Sequence, residues 1–126
     1  MTRLVLLVGA VVLLVGIGSA VAKTSSFRTP SKNSYCLYSS SGGPGPVIRC
    51  DVLSLNDVGF LLDRRHKAQR VKVTDSVVSP RARALRYGSK RRHGLFNCVS
   101  RTTGLTCRSR RSRHGFKLSR ARQRVF

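Results

Sequence analysis

Glutamate is absent from this 126-residue chain, and four aspartates stand against 25 lysines and arginines, for a formal net charge of +21. The missing Glu removes the Glu–His form of an acid–base pair. Tryptophan is also absent, and five Phe and three Tyr make thin material for stacking along a single-stranded nucleic acid. No C-x-x-C occurs, which argues against a zinc site even though His93 and His114 flank the second cysteine pair. No G-x-S-x-G occurs either, and that excludes a serine nucleophile on a strand-to-helix elbow. Beyond residue 22 no apolar run is long enough to span a bilayer, since the best one, 53–62, is interrupted by Asn56, Asp57 and Gly59.

The one long apolar run lies at the start. Arg3 is followed by uncharged, apolar sequence over 4–17 and then by Gly18-Ser19-Ala20-Val21-Ala22. A positive charge, a hydrophobic stretch and small residues at alternate positions are the pattern of a secretory signal peptide, with Ala20 and Ala22 as the A-x-A site. Residues 1–22 are therefore read as a signal peptide, the alternative being an uncleaved anchor, and residues 23–126 as a secreted domain.

A chain of about a hundred residues is one domain, near the low end of sizes that bury a self-sufficient core, so covalent staples are expected. In an oxidising compartment Cys36, Cys50, Cys98 and Cys107 read as disulfides, and their spacing favours Cys36 with Cys50 and Cys98 with Cys107. No cofactor is called for.

The charge is uneven. Residues 81–126 hold 15 basic side chains and no acid, with dense runs at 90–92, 108–113 and 120–124. Such a surface attracts polyanions by counterion release and long-range attraction without any shaped pocket. Outside a cell the partners would be teichoic acid, acidic glycan or extracellular nucleic acid. The candidate binding residues are Arg91, Arg92, Arg108, Arg110, Arg111 and Arg113, clustered around the second cysteine pair. A solvated surface that merely keeps the protein soluble is the plain alternative.

The pattern along residues 23–126 predicts a small β-rich fold, or α+β if one helix forms. Residues 27–34 read as a polar lead-in, 35–38 and 47–52 as two strands joined by the turn-rich stretch 39–46. Ser54 with Asp57 predicts a capped helix presenting Leu55, Val58, Leu61 and Leu62 on one face, weakened by Gly59. Val71, Val73, Val77 and Val78 suggest extended chain broken by Pro80, and 84–87 a further strand. A hairpin is expected over 95–108 and a short strand over 116–118, with 120–124 as a solvated tail. Phe96, Phe116 and Tyr87 are assigned to the core.

Catalysis would need a general acid and base flanking a phosphodiester. His66, His93 and His114 are the only histidines available for a small extracellular nuclease-like activity, and none sits in a motif, so the expectation is a non-enzymatic protein.

Phe27-Arg28-Thr29-Pro30-Ser31 with Asn33 and Cys36, Arg49-Cys50-Asp51, Tyr87-Gly88, Phe96-Asn97-Cys98, Gly104-Leu105-Thr106-Cys107 and His114-Gly115-Phe116 with Leu118-Ser119-Arg120 resemble a family of small secreted actinobacterial proteins of unknown function. The resemblance implies an actinobacterial source, a secreted or wall-associated location, and local cysteine pairing. It carries no activity. Two departures stand out: the pattern's further cysteine pair, expected over 61–74, is missing here, and Arg113 replaces the first Gly of its G-H-G-F.

Overall fold

The computed structural model describes residues 9–16, 21–42 and 45–126. The signal-peptide reading of residues 1–22 falls largely on 1–8 and 17–20, outside the described residues. Residues 9–16 have no regular secondary structure and their side chains are exposed. Among the described residues no helix is long and apolar enough to cross a membrane.

Eleven strands form two sheets among the described residues. The first holds β1 (Thr24–Arg28), β2 (Ser34–Ser39), β3 (Val47–Val52), β4 (Val58–Asp63), β5 (Gln69–Lys72) and β6 (Arg83–Ala84), in the order β5-β4-β3-β2-β1-β6. Its first five strands pair antiparallel in sequence order, and β6 closes the other edge parallel to β1. The second sheet is an antiparallel meander of β7 (Lys90–His93), β8 (Phe96–Arg101), β9 (Gly104–Ser109), β10 (Gly115–Leu118) and β11 (Gln123–Val125). Alternation along each strand sends one set of side chains inward. Ile48, Cys50 and Val52 of β3 are buried, and so are Phe96, Cys98 and Ser100 of β8.

The inner faces of the two sheets share one core, in which Phe27, Phe96, Phe116, Ile48, Leu62 and Leu105 are fully buried. Phe60 of the first sheet meets Phe116 of the second with ring centroids 6.3 Å apart. The disulfides lie in this core, but neither joins the sheets. Cys36–Cys50 links directly opposed residues of β2 and β3, and Cys98–Cys107 does the same for β8 and β9, each pair with Cα atoms 4.1 Å apart. Both pairings agree with the sequence reading. Closing loops of this size limits the unfolded chain by roughly 2.5–3 kcal/mol per bridge in loop-entropy terms. Each bridge therefore secures a hairpin, while the sheets are held face to face by apolar packing.

The fold is all-strand among the described residues, so the expected helix after Ser54 is corrected: the segment forms β4. The true period is two, with Val58, Phe60 and Leu62 turned one way and Gly59 and Leu61 the other. The helical reading left Phe60 unassigned, and it is 3 % exposed in the core. Gly59 fits a strand for a steric reason: a Cβ there would lie 2.7 Å from Asp51 Oδ1 on the neighbouring strand.

Three further expectations change. The 27–34 lead-in is not all irregular: it begins in strand β1, whose Phe27 is fully buried opposite Cys36, passes through the β1–β2 turn and ends in β2. The tail forms β11, with Lys117 opposite Arg124. Tyr87 stays 48 % exposed, and the 84–87 strand shrinks to the short β6 because the chain turns at Tyr87-Gly88, where Gly88 has φ 84°.

Candidate functional site

All four aspartates, Asp51, Asp57, Asp63 and Asp75, belong to the first sheet and its loops. Asp51 is 4 % exposed on the outward side of β3, where it accepts from Arg49 Nε at 2.8 Å, from Arg49 Nη2 at 3.1 Å and from the Val77 N–H at 2.9 Å. Arg49 also reaches Asp75, through its carboxylate at 3.3 Å and its backbone carbonyl. The hydrogen bond to Asp51 leads the influences that hold the Arg49 guanidinium above its ordinary value. Asp63 turns back on its own loop, accepting from the N–H groups of Arg65 at 2.8 Å and His66 at 2.7 Å, with the His66 ring 2.8 Å from its other oxygen. Burial pushes the Asp63 carboxyl up, but these hydrogen bonds outweigh it and leave it below the usual range. Three of the four acids are thus engaged within the first sheet's own structure.

The second sheet has no such compensation. Its registers align Lys90, Val99, Thr106, Lys117 and Arg124 in one row across all five strands, and Arg92, Asn97, Arg108 and Gly115 in the next. Both rows lie on the face opposite the core, because Cys98, Cys107 and Phe116 occupy the alternate, buried positions. Five strands at about 4.8 Å spacing make a face about 19 Å wide. Phe126 pairs with Gly115 through two backbone hydrogen bonds, and its ring carries the guanidiniums of Arg108 at 4.9 Å and Arg124 at 5.2 Å. That contact fixes two positive charges above one ring. Among the described residues no lysine or arginine of this sheet is in an ion pair.

At one end of the face, Thr103, Lys117, Ser119, Arg122 and Arg124 line a depression of about 310 Å³. Cations and hydroxyls supply its polar lining, and no acid contributes.

The six arginines singled out in the sequence divide. Arg92 and Arg108 share a row, with Asn97 between them. Arg91 pairs with Cys98 and so points to the opposite side of the edge strand β7. Arg110, Arg111 and Arg113 occupy the β9–β10 turn, where Arg110 donates to the Gly94 carbonyl at 2.8 Å. Lys90, Lys117 and Arg124 also lie on the cationic face, as does Arg101 at the end of β8, and none of them was among the candidates. The alternation Gln123-Arg124-Val125 was the signal for Arg124, visible once the tail is read as a strand.

The histidines are dispersed. His66 is exposed in the β4–β5 loop. His93 is 6 % exposed and stacks on Phe27 at 4.9 Å, and burial together with the charge of Arg91 holds its imidazole below the ordinary value. His114 ends the β9–β10 turn, in the row running from His93 through Phe96 and Ser109. Three strand spacings put His93 and His114 roughly 14 Å apart along that row, too far to flank one phosphodiester. All four cysteines are oxidised, so no thiolate is left for a metal.

Residues 45–126 match the model of a family described as a family of unknown function, DUF6636, a stretch that runs from the turn before β3 through the whole second sheet. No curated protein and no solved structure matches the chain.

Proposed function

We propose that this chain, which belongs to the DUF6636 family of unknown function, is an exported cationic module that holds anionic polymers on the outward face of its second sheet. The observation that carries this reading is the segregation of charge: residues 81–126 contain 15 basic side chains and no acid, and the strand registers spread Lys90, Arg92, Arg108, Lys117 and Arg124 over one face. Spread charge on an open face suits a repeating polyanion such as teichoic acid, acidic glycan or extracellular nucleic acid.

Export is part of the proposal. Two disulfides in a small domain support an oxidising compartment, and the apolar leader with its A-x-A end supports a secretory route. The motif resemblance adds an actinobacterial, wall-associated setting.

Reversing Lys90, Lys117 and Arg124 to Glu tests the face. Their side chains point away from the core, so the fold is retained while the row becomes acidic. Loss of polyanion binding is the expected result, and unchanged binding would remove this face from the account.

A further inference from the structure

The sequence motifs that the cationic face leaves unused converge on one cleft. It lies where the β1–β2 turn of the first sheet meets the β8–β9 turn and the end of β10 in the second, and it encloses about 120 Å³. Thr29, Ser31 and Asn33 come from the first motif, Gly104 and Leu105 from Gly104-Leu105-Thr106-Cys107, and Ser119 and Arg120 from the last. Tyr87 joins them from the connection between the sheets. Core packing accounts for Leu105, but it does not account for Ser31, Tyr87 and Arg120, which are exposed.

Asn33 carries the chemistry. The residue is 5 % exposed, and its Oδ1 accepts from the Ser54 N–H at 3.1 Å. That bond fixes the amide's orientation, because the reversed amide would set NH2 against N–H. Nδ2 is thereby left buried without an acceptor among the described residues, a costly arrangement for a donor unless something else supplies one. Around it the hydroxyls are already ordered: Thr29 Oγ1 accepts from the Ser34 N–H at 3.1 Å and shares a bond with Ser31 Oγ at 3.1 Å. Lys32 holds the turn with φ 61°, in the left-handed region that side chains disfavour. Gly104 keeps the opposite wall thin, since a Cβ there would lie 2.8 Å from the Leu118 carbonyl oxygen.

The remaining walls are Arg101 and Arg120, and no carboxylate contributes. Guanidiniums match a carboxylate, hydroxyls match ring hydroxyls, and Leu105, Leu118 and the Tyr87 ring offer apolar surface to the carbon side of a sugar. The space is well below the roughly 300 Å³ where small-molecule pockets begin, so it takes the carboxylate-bearing part of a single unit and leaves the rest of that unit outside the cleft. We infer that the cleft built on Asn33, Arg101 and Arg120 is a recognition site for one acidic sugar unit, a uronate. Ser119 lines both this cleft and the depression beside Lys117 and Arg124. A glycan lying on the cationic face can therefore place one unit in the cleft. The inference deepens the reading above and rests on it for the polymer, whereas capture of a single unit stands without it.

The test follows the Asn33 side-chain NH2 resonances of the oxidised protein during titration with sodium glucuronate, with glucose and inorganic phosphate as separate arms. Glucuronate is expected to shift them to saturation. Calorimetric titration, which does not depend on the amide signal that Asn33→Asp removes, is expected to show affinity weakened by about tenfold or more in Asn33→Asp and in Arg120→Gln, in line with loss of a charge-assisted bond. Arg120 is exposed, so its variant stays folded and reports binding even where Asn33→Asp does not fold. Glucose, lacking the carboxylate, should shift the resonances only at much higher concentration. Glucuronate leaving Asn33 unmoved overturns the site, and phosphate binding there as tightly as glucuronate overturns the sugar assignment. The Lys90→Glu, Lys117→Glu, Arg124→Glu protein separates the two readings. A retained glucuronate shift with polymer adhesion lost supports the cleft, and polymer adhesion without any Asn33 shift sinks the cleft alone.

Discussion

Asp51 and Gly59 face each other across β3 and β4, and the carboxylate of one fills the space a side chain on the other would need. Gly59→Ala puts a methyl 2.7 Å from Asp51 Oδ1, 3.2 Å from Val73 and 3.3 Å from the Cys50 carbonyl. Overpacking of this kind costs about 1–3 kcal/mol. Urea unfolding should show that loss, with less of it in an Asp51→Ala background because the two residues compete for one space. Equal losses in both backgrounds would mean that Asp51 is not the obstruction.

Asp51→Asn should also loosen the segment that crosses the outer side of the first sheet. The carboxylate receives Arg49 twice and the Val77 N–H once, and it is buried. Breaking one member of a buried pair typically costs about 3–5 kcal/mol, reduced here because Arg49 keeps Asp75. Faster hydrogen exchange at Val77 is the specific sign to look for.

Acid should destabilise the protein in two windows. Burial and Arg91 hold the folded His93 below its ordinary 6.5, so the unfolded chain takes up the proton more readily. Stability from this group is complete above 6.5 and falls as the pH drops below that value. Asp63, held below 3.8, retains its contribution above 3.8 and loses it as the pH falls through the folded value. Tyr38 and Phe27 are the other rings against His93. His93→Phe should flatten the upper window in unfolding curves taken between about pH 7 and pH 5 while leaving the lower one, since only imidazole titrates there. A slope unchanged by the substitution would assign it to another group.

Arg113 has φ 67°, in the left-handed region where a Cβ costs roughly 1–2 kcal/mol. Arg113→Gly should raise the unfolding midpoint by an amount worth about 1 kcal/mol or less, because the greater freedom of Gly in the unfolded chain offsets part of the relief. A lower midpoint would mean that the Arg113 side chain contributes more than its backbone costs.

Much of the fold was legible where local signals agree. The 39–46 turn chemistry and the cysteine spacing marked the hairpins β2–β3 and β8–β9, and Phe116-Lys117-Leu118 marked β10. The misreadings share one cause. Phe27, Phe60 and Gln123 enter strands whose partners, not their own local pattern, decide the structure. Gly59 looked like a weakened helix position because its reason for being glycine sits on the neighbouring strand. In the β4–β5 hairpin Asp63 orders the loop through the N–H groups of Arg65 and His66, a contact that no local sequence pattern announced. For the site, arginine runs drew attention to the β9–β10 turn, whereas the row from Lys90 through Lys117 to Arg124 exists only once the five-strand register is known.

The most direct test of the cationic face is the salt dependence of binding of the oxidised protein to duplex DNA, RNA, teichoic acid and a neutral wall glycan. The five cations of the two rows imply that log K for duplex DNA falls with log salt at a slope of about −4.5, each neutralised phosphate contributing about −0.9. The account predicts that slope, no binding of the neutral glycan, and loss of polyanion binding when Lys90, Lys117 and Arg124 are reversed to Glu. Binding that ignores salt, or that survives the reversal with its slope intact, would contradict it.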